Sequence, residues 1–183
     1  RLGGPMTYES YPAGWSLAMN TPLRWTKQFG SMLGGVRNGM ILSWAGHVAK
    51  PGGICGEFSH LNDIAPTILE AAKLPVPRIV NGVAQKPMDG QSLLSGLSTA
   101  CQPDKPRTQY FEMTGKIGLY HDGWFLSGDN GRPSWENKPS SSHPEIKWTL
   151  YDLRTDWSQS TDVAAKNPER LQAMLALWKQ EAE

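Results

Sequence analysis

The sequence predicts a mixed α/β chain whose second half becomes an α+β unit. Residues 109–152 hold four short runs of aromatic and aliphatic side chains, punctuated by Thr114-Gly115, Asp122-Gly123 and a polar stretch. That is the pattern of a small antiparallel sheet. Beyond them Leu171, Met174, Leu175 and Trp178 recur at the i, i+3, i+4, i+7 spacing of a helix with one apolar stripe. In the first half, Ile64, Ile68, Leu69 and Ala72 mark another helix at the same period.

Taken in order, residues 1–26 mix Tyr8, Tyr11, Trp15 and Trp25 with Gly and Pro and show no period. This predicts an irregular loop ending in a short helical piece around Leu23 to Leu33. Gly34-Gly35 then turn the chain into a short strand from Gly39 to Trp44. Its run Met40-Ile41-Leu42 lacks alternation and suits a strand covered on both faces. Residues 46–56, with Pro51-Gly52-Gly53, form a turn-rich connection. A helix follows, capped by Asn62 or Asp63, with Pro66 in its first turn, and it stops before Pro75-Val76-Pro77. Residues 78–107 read as loop, broken by Pro87, Gly90, Gly96, Pro103 and Pro106. A boundary there divides the chain into residues 1–100 and 101–183.

In the second part, strands are expected at Gln109 to Met113, Lys116 to Tyr120, Trp124 to Leu126 and Lys147 to Asp152, with a loop from Gly128 to His143. Arg154-Thr155-Asp156 end the last strand. The closing helix has Asn167 as cap, Pro168 at its first position and Glu169 against its dipole. It covers one face of the sheet.

Composition narrows the partners. The 183 residues include 18 Lys and Arg against 17 Asp and Glu, a formal charge of +1 with no basic run. Neither nucleic acid nor an anionic membrane is therefore an expected partner, and no apolar run is long enough to span a bilayer. The start, Arg1-Leu2-Gly3-Gly4-Pro5, lacks the apolar core of a signal peptide and reads like the middle of a longer protein. Cys55 and Cys101 match no metal-ligand spacing. They read as two unpaired, partly buried thiols, with a single disulfide as the alternative.

Four blocks then stand in a telling order. Gly3-Gly4-Pro5-Met6-Thr7-Tyr8 runs through to Trp25-Thr26-Lys27-Gln28. Lys27 precedes Gly34-Gly35-Val36-Arg37. Ser59-His60-Leu61-Asn62-Asp63-Ile64-Ala65-Pro66-Thr67 follows. Thr108-Gln109-Tyr110-Phe111-Glu112-Met113, with Tyr120-His121-Asp122-Gly123-Trp124, completes the series. Together they resemble the C-terminal portion of the sulfatase family, bacterial arylsulfatase branch. The resemblance implies the C-terminal part of the alkaline-phosphatase-like α/β domain, then a four-stranded antiparallel subdomain with a packed helix. Asn38-Gly39 stands where many sulfatases carry a proline, which favours the arylsulfatase branch.

The resemblance also implies the chemistry. Sulfatases use a formylglycine made within a Cys/Ser-x-Pro-x-Arg motif as nucleophile, and calcium held by acidic residues. Cys55 is followed by Gly56-Glu57-Phe58 and Cys101 by Gln102-Pro103-Asp104-Lys105, so neither fits. Calcium and formylglycine are implied for the whole enzyme, and none is expected on this chain. Lys27 is implied as the lysine that grips the sulfate, since a charged ammonium stabilises negative charge building on sulfuryl oxygens. Its plain alternative is a solvated surface charge.

Arg37 is a second anion contact, or else a clamp that fixes the double-glycine turn. Trp15 and Trp25, with Tyr11, offer an aromatic rim for substrate, or simply pack the first segment. His60 and Asp63 could share one side of a metal, but read better as a packed histidine and a helix cap. His47, His121 and His143 are isolated.

The sequence reading is thus an arylsulfatase-like sulfuric ester hydrolase, C-terminal part, binding a sulfate ester or sulfate anion. It is expected to be inactive alone and to associate with the missing N-terminal catalytic part or with itself. The alternative is a non-catalytic module used in assembly or ligand binding. Family habit implies a periplasmic or secreted location.

Overall fold

The computed structural model describes residues 3–8, 10, 12–99, 106–132 and 145–182. It divides into two compact units. One joins residues 1–39 to 108–183, and the other comprises residues 40–107. The division expected at 100 and 101 therefore differs on one side: the N-terminal segment belongs with the C-terminal sheet. Its apolar residues Phe29, Met32 and Leu33 pack on one face of that sheet.

The sheet has the order β3-β4-β5-β6 (Thr108–Met113, Lys116–His121, Trp124–Asp129 and Lys147–Asp152), antiparallel throughout. Leu119 pairs with Leu126, and Leu126 with Leu150, so one row of leucines crosses three strands. Tyr120, Phe125 and Tyr151 form the next row on the opposite face, because side chains alternate along a strand. Asp122 and Gly123, at φ 46° and 83°, make the tight turn between β4 and β5. The expected loop from Gly128 begins two residues late. Gly128 and Asp129 still pair with Trp148 and Lys147, and residues 133–144 lie outside the described residues.

Each face has its own cover. Helix α5 (Pro168–Glu181) lays Met174, 1% exposed, on Leu119, Leu126 and Leu150, flanked by Leu171, Leu175 and Trp178. Proline at its first position and Glu169 in its first turn behave as expected. Asn167 does not cap through its side chain; its Nδ2 donates to the Val163 carbonyl at 3.0 Å. The other face is not open, as a sheet covered on one side would leave it. Phe29, Met32 and Leu33 pack there on Phe125 and Tyr151.

The N-terminal segment departs most from expectation. Helix α1 (Ala13–Asn20) forms where a loop was predicted. Trp15, Leu17 and Met19 are spaced by two, and no residue of α1 is buried, so it carries no amphipathic period to read. The helical piece predicted around Leu23 to Leu33 is absent. Trp25 and Gln28 have φ of 64° and 79°, which no right-handed helix contains. The only helical turn there is α2 (Leu33–Val36), which holds Gly34 and Gly35 themselves.

In the unit of residues 40–107, the strand predicted from Gly39 to Trp44 does not form. A strand needs a neighbour to take its N–H and C=O groups, and no described segment pairs with it. Ile41 is 97% exposed. Helix α3 (Ile64–Ala71) ends as expected. It is entered through a 3₁₀ turn, Leu61–Asp63, whose cap is a box between His60 and Asp63. Short additions, the β1–β2 hairpin (Ile79–Val80 and Val83–Ala84) and helix α4 (Leu94–Thr99), interrupt the predicted loop.

No described hydrophobic residue in this unit is buried. Its buried groups are Asp63 and Thr67, which tie backbone together. Asp63 accepts from the N–H groups of His60 and Gln91 and pairs with Arg107 at 2.7 Å. Thr67 Oγ1 donates to the Asp63 carbonyl and accepts the Leu93 N–H. Cys55 is disulfide-bonded, which corrects the reading of two unpaired thiols. The chain's one other cysteine, Cys101, lies outside the described residues.

Candidate functional site

Lys27 sits at the tip of a tight loop, exposed. Its side chain makes no hydrogen bond or ion pair with any described residue. The two residues with positive φ, Trp25 and Gln28, bracket Thr26 and Lys27 and fold the chain sharply on itself. The Phe29 N–H closes the turn on the Thr26 carbonyl at 3.2 Å. Phe29 turns inward, 4% exposed, and the Trp25 ring stacks on it at 4.3 Å between centroids. The loop is thus rooted in the core by an aromatic pair while its lysine faces water.

The double glycine explains why the loop stays in place. The Gly34 N–H donates to the Arg24 carbonyl at 3.0 Å. A Cβ on Gly34 would stand 2.2 Å from the carbonyl oxygens of Arg24 and Trp25, and one on Gly35 2.2 Å from that of Phe29. Only glycine permits this approach of two backbones. Asn20, at the end of α1, donates its side-chain amide to the carbonyls of Trp25 and Gly34, each at 2.8 Å. One side chain thereby staples α1, the lysine loop and α2.

A second support comes from the far end of the chain. Gln159, fully buried, accepts the Leu33 N–H on Oε1 at 2.6 Å, and its carbonyl accepts from Arg24 Nη1 at 2.9 Å. Beneath the loop, Lys116 is 2% exposed and forms an ion pair with Asp129 across β4 and β5, with its Nζ 5.4 Å from the Phe29 ring centre. Gln159 and Lys116 were not singled out by the sequence. A glutamine at φ 56° in a polar turn gives no signal, and a lysine in a strand reads as exposed.

Arg37 follows α2 and is exposed. It neither clamps the turn nor pairs with an acid. Its guanidinium lies 5.7 Å from the Trp157 ring centre. Among the described residues Arg24, Lys27 and Arg37 have no carboxylate partner, so three positive charges stand uncompensated on this staple. Trp25 belongs to it directly. Trp15 is 66% exposed on α1. Tyr11 lies outside the described residues.

His60 and Asp63 hold no metal between them. Both oxygens of Asp63 are taken by protein donors, and Asn62 N–H reaches His60 Nδ1 at 3.4 Å. Among the described residues no group of three or more His, Cys, Asp or Glu could hold a metal ion. A disulfide-bonded Cys55 is no precursor of a nucleophile. His121 ends β4, with Nδ1 2.8 Å from Thr108 Oγ1. His143 lies outside the described residues.

No family model matches the chain. It is 28% identical over 182 residues to an uncharacterized sulfatase of Schizosaccharomyces pombe, which covers 97% of this chain and 30% of that protein. Its fold matches the crystal structure of Ps i-CgsB in complex with k-i-k-neocarrahexaose, with a TM-score of 0.64 and 21% identity over 87% of this chain and 32% of that one. The chain thus spans about a third of the length of either relative. Along nearly its whole length the chain is thus similar to part of a sulfatase, and its sheet-and-helix fold is that of part of Ps i-CgsB.

Proposed function

We propose that this chain serves sulfuric ester hydrolysis by gripping the sulfate group of a sulfate ester with Lys27. The observation that carries the reading is an exposed lysine, without a partner among the described residues, on a loop that Asn20 and the double glycine hold in place. Such a group can meet an oxyanion with little reorganisation. Arg37 supplies a second positive charge, and Trp25 with Trp15 an aromatic rim. No step of bond cleavage is assigned to this chain. Formylglycine and calcium, where the whole enzyme carries them, supply the nucleophile and the Lewis acid.

Two measurements test this. Titrating the chain with sodium sulfate, followed by NMR of lysine ammonium groups, should shift Lys27 before the other lysines, and uniform shifts overturn the assignment. The chain by itself should not turn over 4-nitrophenyl sulfate. Hydrolysis that Lys27→Ala abolishes would show a complete active site and overturn the division of labour.

A second reading concerns partners. Ile41 and Ile54 are 97% and 101% exposed, and Leu61, Ile68 and Leu74 stand out of the same unit. Apolar surface of this extent marks a contact face. We infer that the unit of residues 40–107 is completed by association, either with a catalytic remainder or with a second copy. Sedimentation should show the isolated chain self-associating. A compact monomer that binds no hydrophobic dye would contradict it. The disulfide at Cys55 supports an oxidising compartment, periplasmic or secreted.

A further inference from the structure

The sequence holds three Asn-Gly pairs, Asn38-Gly39, Asn81-Gly82 and Asn130-Gly131. Each is open to the same chemistry. Once the glycine N–H has lost its proton, its nitrogen attacks Cγ of the asparagine side chain. A C–N bond forms, the bond from Cγ to the side-chain nitrogen breaks, and ammonia leaves with the proton. Water then opens the cyclic imide at either carbonyl and gives aspartate or isoaspartate. Glycine favours the attack because no Cβ crowds its nitrogen. In an unfolded chain the three pairs are nearly equivalent, so the fold ranks them.

Two of the pairs are held. Asn130 Nδ2 donates to the Thr114 carbonyl and its Oδ1 accepts the Arg132 N–H, each at 3.1 Å. The Gly131 N–H donates to Asp129 Oδ1 at 2.7 Å. The attacking nitrogen therefore keeps its proton against a carboxylate, and the amide that it must reach is fixed at both ends. Asn81 and Gly82, at φ 50° and 80°, make the turn of the β1–β2 hairpin, with Val80 paired to Val83. Swinging the Gly82 nitrogen onto the side chain there means opening the hairpin.

Asn38-Gly39 is different. Both residues are exposed and lie in neither helix nor strand. Among the described residues, neither the Asn38 side chain nor the Gly39 N–H makes a hydrogen bond. A Cβ on Gly39 would meet no heavy atom within 4 Å, so water and base reach the peptide. The cation of Arg37, immediately before the pair, favours the anionic nitrogen.

We propose that Asn38 is the site at which this chain spontaneously deamidates. The product places a carboxylate beside Arg37 and lowers the uncompensated positive charge of Arg24, Lys27 and Arg37. The site stands apart from the reading of Lys27; its effect on sulfate rests on that reading.

Incubation of the full chain in mildly alkaline buffer tests it, followed by peptide mapping by mass spectrometry and isoaspartyl methyltransferase labelling. In the native chain Asn38 should convert at least about tenfold faster than Asn130, whose hydrogen bonds must open first, and faster than Asn81. In guanidinium chloride the three rates should converge. Gly39→Ala, for which the surroundings leave room, should slow Asn38 without altering the other two. Asn38→Asp should weaken sulfate binding at Lys27 about two- to fivefold, the size of one exposed charge pair.

Native rates that are equal at the three pairs, or fastest at Asn81 or Asn130, overturn the site. If Asn38 converts fastest but Asn38→Asp binds sulfate as tightly as the unchanged chain, the site stands and its effect on the anion falls. If the unchanged chain binds no sulfate at Lys27, the lysine reading fails and the deamidation site stands.

Discussion

At the scale of the residue, the Lys27 loop shows how close backbone approach substitutes for secondary structure. Its geometry depends on the missing Cβ of Gly34, and Gly34→Ala would drive a methyl group into two carbonyl oxygens. Overpacking of this kind costs about 1–3 kcal/mol. Urea denaturation should show the midpoint falling accordingly, and sulfate shifts at Lys27 should weaken with it. Electrostatic order is clearest in the turn after β6. The Arg154 side-chain hydrogen bond holds the Asp152 carboxyl below its usual range. Burial pushes the Asp156 carboxyl up, but donors from Ser158, Ser160 and Thr161 together outweigh it and leave it lowered. A lowered carboxyl stabilises the fold fully above its unfolded value of about 3.9 and loses that contribution as pH falls through the folded value. The protection of the Ser160 and Thr161 amides against exchange should therefore fall as pH drops below about 4, and Asp156→Asn should flatten that dependence.

At the scale of the element, α5 and the leucine row of the sheet act as one packing unit. Met174 is the side chain that α5 buries most deeply, and it meets a leucine from each of three strands. Met174→Ala should cost about 2–5 kcal/mol, the range for emptying a core site. A Met174→Leu variant should cost far less, which separates volume from chemistry. The thermal midpoint reads both. The opposite face of the sheet is closed by Phe29, Met32 and Leu33 instead of a helix. The sheet's second core and the root of the lysine loop are therefore the same residues.

At the scale of the whole molecule, the two units have different sources of order. The unit holding the sheet has both hydrophobic clusters. The unit of residues 40–107 relies on Asp63, Thr67, Arg107 and the Cys55 disulfide. Hydrogen exchange should be slowest in β4 and β5 and fast in α3, since local stability follows buried apolar contact. Reduction should loosen residues 40–107 selectively while leaving the sheet intact. A peptide map without reductant should link Cys55 to Cys101. Equal protection in both units would contradict this picture.

The sequence by itself determined the elements whose information is local. The four strands, the Asp-Gly turn, the α5 stripe and the end of α3 before Pro75 follow from periods and turn residues a few positions apart. The order of its motifs also carried the resemblance to sulfatases and drew attention to Lys27. It could not show that residues 29–33 cover the sheet, that Gln159 reaches back to Leu33, or that Met40 to Leu42 find no partner strand. Those outcomes depend on which segments meet, and the contacts span up to 135 positions along the chain. Nor could it show that the turn around Lys27 contains two left-handed residues in place of a helix, because that conformation is imposed by the glycine backbone packed against it. Lys27 was legible as a motif. What holds it was decided in three dimensions.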